Sequence, residues 1–70
     1  MSAPPPGRYH VALCIGRSAV LDGWWDDPDI ADRKYEGIRA EHEDTADAQV
    51  ALTEWHAGQE WPLREWPPPA

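Results

Sequence analysis

Three histidines and a concentration of aspartates are the residues of this chain whose chemistry would suit a metal ion. His10, His42 and His56 are far apart in sequence, and no H-x-x-x-H or C-x-x-C spacing brings two ligands together. The aspartates lack the alternating ligands, central glycine and terminal glutamate of a calcium-binding loop. They are Asp22, Asp26, Asp27, Asp29 and Asp32. We therefore expect no metal and no other cofactor, and we interpret most of these aspartates as the start of a helix.

A nucleophilic centre is the second chemistry to consider, because His10 and Cys14 are four positions apart. In a strand this spacing corresponds to about 13 Å, too far for the histidine to activate the thiol. Glu54, Glu60 and Glu65 could face one another across a hairpin as acid and base. A chain of 70 residues, however, has difficulty enclosing the concave, water-poor site that such chemistry needs. We expect a protein that is not an enzyme.

The charge of the chain limits its partners. Thirteen acidic residues against six basic ones give a formal net charge of −7. Nucleic-acid and anionic-membrane binding depend on clustered Lys and Arg, and here only Arg33 and Lys34 are adjacent. No apolar run reaches the roughly 20 residues of a transmembrane helix, and the N-terminus lacks the features of a signal peptide. We expect a cytoplasmic protein that contacts neither nucleic acid nor membrane. A lone Cys14 permits no disulfide within the chain.

Four strands and one helix are predicted to position these side chains. Alternating apolar residues predict a first strand from Tyr9 to Ile15, followed by a short turn and a second strand. The run Asp26-Asp27-Pro28-Asp29 predicts a helix start, with either Asp26 or Asp27 as the N-cap, and the helix should end near Glu43. Pro62 confines the last strand to a sheet edge. The second, third and fourth strands are predicted over 19–25, 48–55 and 60–66.

This element order predicts an α+β fold. The arrangement is ββαββ, with an antiparallel sheet in the strand order 4-3-1-2 and one helix across one face. A single domain should occupy residues 8–66, with a disordered proline-rich tail over 1–7 and a second proline-rich tail over 67–70. The proline triplets in both tails favour extended polyproline II conformation. The opposite face of the sheet has no predicted cover.

Two short runs, Gly23-Trp24-Trp25 and Ala31-Asp32-Arg33-Lys34-Tyr35, resemble small uncharacterised actinobacterial proteins. The resemblance implies no activity, cofactor or partner. Residues with GC-rich codons (Ala, Gly, Pro and Arg) are abundant, which favours a high-GC bacterium, or a virus of one, as the source.

Five tryptophans with no phenylalanine are the most unusual feature of the composition. Trp24 and Trp25 are consecutive in a strand and must point to opposite faces. Trp55 and Trp61 flank the turn at Gly58 and are predicted to pair across the strands. One helix on one face has difficulty covering every indole, and exposed tryptophan is typical of interfaces. The predicted partner-binding residues are Trp24, Trp55, Trp61 and Trp66.

These observations favour a small acidic adaptor or regulator that binds a protein partner through a tryptophan-rich surface. The partner could be a second copy of the chain, giving a homodimer through the open sheet face. Two other functions remain open. One is an acidic mimic of nucleic acid that inhibits a host or defence enzyme, and the other is a tryptophan cage for a small aromatic or cationic ligand.

Overall fold

The computed structural model describes residues 7–68; the predicted tail residues 1–6 and 69–70 lie outside this range. Four strands form one antiparallel sheet in the order β2-β1-β3-β4, with a single helix packed on it. The predicted α+β fold and strand order are confirmed. The elements are β1 (Tyr9–Ile15), β2 (Ser18–Trp25), α1 (Pro28–Glu41), β3 (Ala48–His56) and β4 (Gln59–Trp66).

Tight turns join the paired strands of each hairpin. Gly16 has φ 63° between β1 and β2, a left-handed conformation that glycine adopts without steric cost. Ala57 and Gly58, at φ 53° and 81°, form a two-residue turn between β3 and β4. Positive φ at both positions is typical of the type I′ turn, whose twist matches that of the flanking strands. This short turn fixes the register of β4 on β3.

The helix begins where the aspartate run predicts. Asp27 is the N-cap, and its side chain accepts hydrogen bonds from the backbone N–H groups of Asp29 at 2.8 Å and Ile30 at 3.4 Å. Pro28 occupies the first helical turn, where its missing N–H costs nothing. The helix ends at Glu41, two residues before the predicted end, because His42 leaves helical geometry with φ −115°.

The core lies between α1 and one face of the sheet, which we call the helix face. Its strand residues alternate along β1 and β3, as the period of two predicts, and the helix contributes Ala31 and Tyr35 from its apolar stripe. Tyr9, Ile15, Trp25, Ile38 and Trp66 pack against this core while partly buried. The buried members are Val11, Leu13, Ala31, Tyr35, Ala48, Val50 and Leu52.

Arg64 ties the edge strand β4 to the helix. Its guanidinium donates to Asp32 Oδ1 at 2.6 Å and also to Glu36 Oε1. It lies 4.4 Å from the centre of the Tyr35 ring, close enough for a cation–π contact. Arg64 therefore covers the outer side of the buried tyrosine.

Candidate interaction surface

The face of the sheet opposite the helix is uncovered by any described residue. The pairing register and strand alternation define this surface, which we call the open face. The middle of the open face is shallow because it carries the small side chains of Ala12, Cys14 and Ala51. Larger side chains lie toward one end. The strand positions of the open face are His10, Ala12, Cys14, Ala19, Asp22, Trp24, Gln49, Ala51, Thr53, Trp55, Glu60, Pro62 and Glu65.

His10 on β1 contacts side chains of two other strands across the open face. Its Nε2 lies 2.9 Å from Asp22 Oδ2 on β2, and its Nδ1 lies 2.8 Å from Glu60 Oε1 on β4. A neutral imidazole has only one N–H, so only the doubly protonated ring can donate to both carboxylates. The side chain of His10 is 18% exposed, although both of its carboxylate partners are more open to solvent. One imidazole thus connects the two edge strands of the sheet.

Trp24 stacks on this histidine. The two ring centres are 4.2 Å apart and the rings are nearly parallel, at 6°. Because His10 is held from both sides by carboxylates, it presents a fixed platform for one face of the indole. Trp24 is therefore held in place on the open face without belonging to the core.

Glu60 is held by a second donor. The Thr53 hydroxyl on β3 donates to Glu60 Oε1 at 2.8 Å. This hydrogen bond is the largest cause that holds the pKa of the Glu60 carboxyl below its ordinary value, with partial burial opposing it and His10 adding to it. Glu60 therefore remains an anion on the open face at neutral pH.

The open face is acidic. Asp22, Glu60 and Glu65 occupy its strand positions, and none of these positions in the described range carries Lys or Arg. Arg8 precedes β1 at one end of the sheet, but its Nε donates to Glu54 at 2.6 Å. The surface thus combines indole rings with carboxylates and a single histidine.

The structure divides the four predicted binding tryptophans between the two faces. Trp24 and Trp55 both lie on the open face, and the predicted opposition of Trp24 and Trp25 is confirmed, since Trp25 packs against the core. Trp61 pairs with Glu54 on the other side and is 46% exposed. Trp66 lies opposite Val50 and packs against the core.

The predicted pairing of Trp55 with Trp61 is wrong. The two-residue turn at Ala57-Gly58 places Glu60 opposite Trp55, so Trp61 falls one position further and points to the opposite face. The Trp61 indole instead donates from Nε1 to the backbone carbonyl of His56 at 2.9 Å.

A shallow groove of about 320 Å³ lies at the β4 edge of the open face. Ala12, Cys14 and Ala51 line its floor, and Trp66 with Pro67 borders it. Trp66 therefore contributes to the margin of the open face although most of its packing is against the core.

The side chains of the open face form neither a nucleophile and base pair nor a cation site among the described residues. The Thr53 hydroxyl donates to Glu60 and not to His10, so these residues form no nucleophile and base pair. Asp22 and Glu60 sit at opposite edges of the imidazole and cannot share one cation with it. Within residues 7–68 no group of three or more His, Cys, Asp or Glu side chains is placed to hold a metal ion.

Sequence reasoning missed the cluster of His10 with Asp22 and Glu60. The alternation of β1 does place His10 on the uncovered face, which is the available signal. Its partners come from two other strands. A bulge in the β1–β2 pairing lies between the turn and Asp22, and the register set by the two-residue β3–β4 turn places Glu60. A one-residue shift moves a side chain to the other face, so these neighbours could not be counted from the sequence.

In the part of the chain that the structure describes, no helix is long and apolar enough to cross a membrane. No family model, curated protein or solved structure matches this chain. The resemblance to actinobacterial proteins therefore stays a prediction.

Proposed function

We propose that this protein is a small non-catalytic adaptor or regulator whose open face binds a basic segment of a partner protein. One observation carries the proposal: an uncovered sheet face that displays Trp24 and Trp55 among three carboxylates, with no Lys or Arg at its described strand positions. Indoles supply contact area and attract cations over their faces, and carboxylates pair with Lys and Arg. A basic partner satisfies both features.

The fixed position of Trp24 supports this function. The stack on His10 restrains the ring before any partner arrives, so binding costs less side-chain entropy. One face of the indole is already occupied by His10, which leaves the other face for the partner. The acidic surroundings would speed association with a basic partner and discourage an acidic one.

The other functions have less support. A homodimer through the open face would bring two sets of carboxylates together. A nucleic-acid mimic needs a row of free anions, but His10 engages Asp22 and Glu60. A tryptophan cage for a small ligand needs several indoles around one point, and Trp61 and Trp66 leave the sheet on the other side from Trp24 and Trp55.

Peptide display against the immobilised protein tests the proposal. We expect the recovered peptides to be enriched in Lys and Arg, and their binding to weaken as salt is added. Trp24→Ala and Trp55→Ala should each reduce affinity by roughly tenfold or more, as hot-spot residues do. Trp61→Ala is the matched control, because this exposed indole lies on the other side of the sheet. Acidic or charge-neutral peptides, or an equal loss in all three variants, would refute the proposal.

A further inference from the structure

A second concave surface lies on the helix face, away from the open face. It is a groove of about 480 Å³ between α1 and the edge strand β2. Leu21, Trp25, Gly37 and Ile38 supply its apolar lining, and Leu21 is 51% exposed. This volume lies within the range of small-molecule sites, which are mostly apolar with a few placed polar groups.

Gly37 keeps this groove open. Glycine is unfavourable in a helix interior, and its usual justification is a close approach of another element. Here a methyl group added at Gly37 would meet no described atom within 4 Å, so packing of the helix does not require glycine. The absence of a side chain at position 37 adds space to the groove, and we interpret this space as the role of the glycine.

Positive charge is concentrated at one end of the groove. Arg8, Arg39 and Arg64 each form an ion pair with a carboxylate. Arg33 and Lys34, which both line the groove, form none with the residues described. The chain has a net charge of −7, so this end of the groove, with two cations that form no ion pair with any described residue, differs in sign from the molecule as a whole.

The two carboxylates near the groove do not cancel this charge. Asp22 lines it, but its Oδ2 is directed to His10 on the open face. Glu41 lies seven residues after Lys34, a distance of about 10 Å along the helix axis. An anion at the Arg33 and Lys34 end is therefore remote from Glu41, and the surface between the two ends is apolar.

We propose that this groove binds an amphipathic anion of the medium-chain carboxylate class. The carboxylate pairs with Arg33 and Lys34, and the short alkyl chain lies against Trp25 and Ile38. This site does not depend on the protein-binding function of the open face, because Trp25, Ile38 and the two cations lie on the helix face. Asp22 borders both surfaces but takes no part in the proposed contacts.

Titration with octanoate, followed by ¹H–¹⁵N NMR of the full chain, tests the site. We expect saturable shifts of the Trp25 indole N–H and the Gly37 amide, with the Trp24 indole unmoved. Replacing both cations, Arg33→Ala with Lys34→Ala, should weaken octanoate binding about tenfold, as expected for two surface charge contacts. Arg17→Ala is the matched control, because this cation lies in the β1–β2 turn outside the groove. Octan-1-ol should bind more weakly than octanoate.

A larger residue in the groove gives a second test. Gly37→Leu should abolish the octanoate shifts by filling the space, while the unaltered spectrum of the open face reports that the fold persists. If Gly37→Leu does not fold, the variant that combines Arg33→Ala with Lys34→Ala still tests the proposal. Absence of saturable shifts, octanoate binding unchanged by loss of both cations, or shifts confined to the open face would each overturn the proposal.

Discussion

Glu60 on the edge strand β4 bonds to Thr53 and His10 through its side chain, so its ionisation should affect stability. The pKa of Glu60 is lowered in the folded chain, chiefly by the hydrogen bond from Thr53. A lowered carboxyl pKa stabilises the fold above the unfolded-state value, and this stabilisation is lost as the pH falls through the folded-state pKa. For Glu60 that loss falls below pH 4.5, the ordinary value of the group.

Glu60→Gln should therefore lower the free energy of unfolding at pH 7 by about 0.5 to 1 kcal/mol, a modest value because the carboxylate is partly solvated. The difference from wild type should shrink as the pH falls below 4.5, the ordinary pKa of the group, because the wild-type carboxylate is then increasingly protonated in the folded chain as well. Urea unfolding at several pH values measures it. Glu65→Gln is the control, since this glutamate on the same strand makes no side-chain hydrogen bond with the described residues. A difference that stays constant across the pH range would contradict the prediction.

The adjacent tryptophans Trp24 and Trp25 should differ in their effect on stability. The Trp25 ring covers Gly23, where an added methyl group would lie 2.5 Å from the indole, and it packs against the core. Trp25→Ala should cost about 3 kcal/mol, near the lower end for loss of a large core side chain. Trp24→Ala removes a stack on His10 at the surface and should cost about 1 kcal/mol. Chemical unfolding compares the two variants, and equal losses would show that the open face is part of the core.

The position of a side chain could be predicted from the sequence where it depends on a single strand or helix. Trp24 and Trp25 follow from alternation within β2. The aspartate run before Pro28 narrows the N-cap to Asp26 or Asp27, and the structure shows Asp27. Prediction failed for Trp61 and for the partners of His10, whose positions depend on the register between strands. Local periodicity carries the first kind of information but not the second.

At the scale of elements, α1 contains a glycine that its packing does not need. Gly37→Ala should raise the free energy of unfolding by about 0.5 to 1 kcal/mol, because alanine is the better helix former and its methyl group meets open space. Thermal or urea unfolding measures the gain. Gly58→Ala should instead lower the free energy of unfolding, because φ 81° in the β3–β4 turn strains any residue with a side chain. A destabilised Gly37→Ala variant would show that the glycine has a structural role.

The elements themselves could be predicted almost completely. Strand alternation, the proline after Asp27 and the glycine turns each act over a few residues, so all five elements occur within two residues of their expected ends. The bulges opposite Leu13–Cys14 and Leu52–Thr53 could not be predicted, because they arise when strands of unequal local length pair. Arg64 is another such case, since its contact with Tyr35 requires knowing that β4 lies beside the helix.

At the scale of the whole molecule, charge is distributed unevenly over the two sides of the sheet. The helix face carries Arg33, Lys34, Arg39 and Arg64, of which Arg39 and Arg64 pair with carboxylates. The described strand positions of the open face carry carboxylates and His10. All six Lys and Arg residues therefore lie away from the strand positions of the open face, which carry three of the thirteen acidic residues. Composition predicts an acidic protein, and the sheet topology decides where that charge lies.

This distribution predicts how the protein associates with itself. Two open faces brought together would oppose Asp22, Glu60 and Glu65 of each copy, so the chain should sediment as a monomer at low ionic strength. At about 1 M salt the Debye length falls to roughly 3 Å, so repulsion is screened. The half-buried indoles of Trp24 and Trp55 on the open face should then promote weak dimers. Sedimentation velocity at both salt concentrations measures this, with Trp24→Ala as a variant that should dimerise less and Trp61→Ala as its control. A dimer at low salt that dissociates in high salt would show that the open face is complementary to itself, and the partner would then be a second copy of the chain.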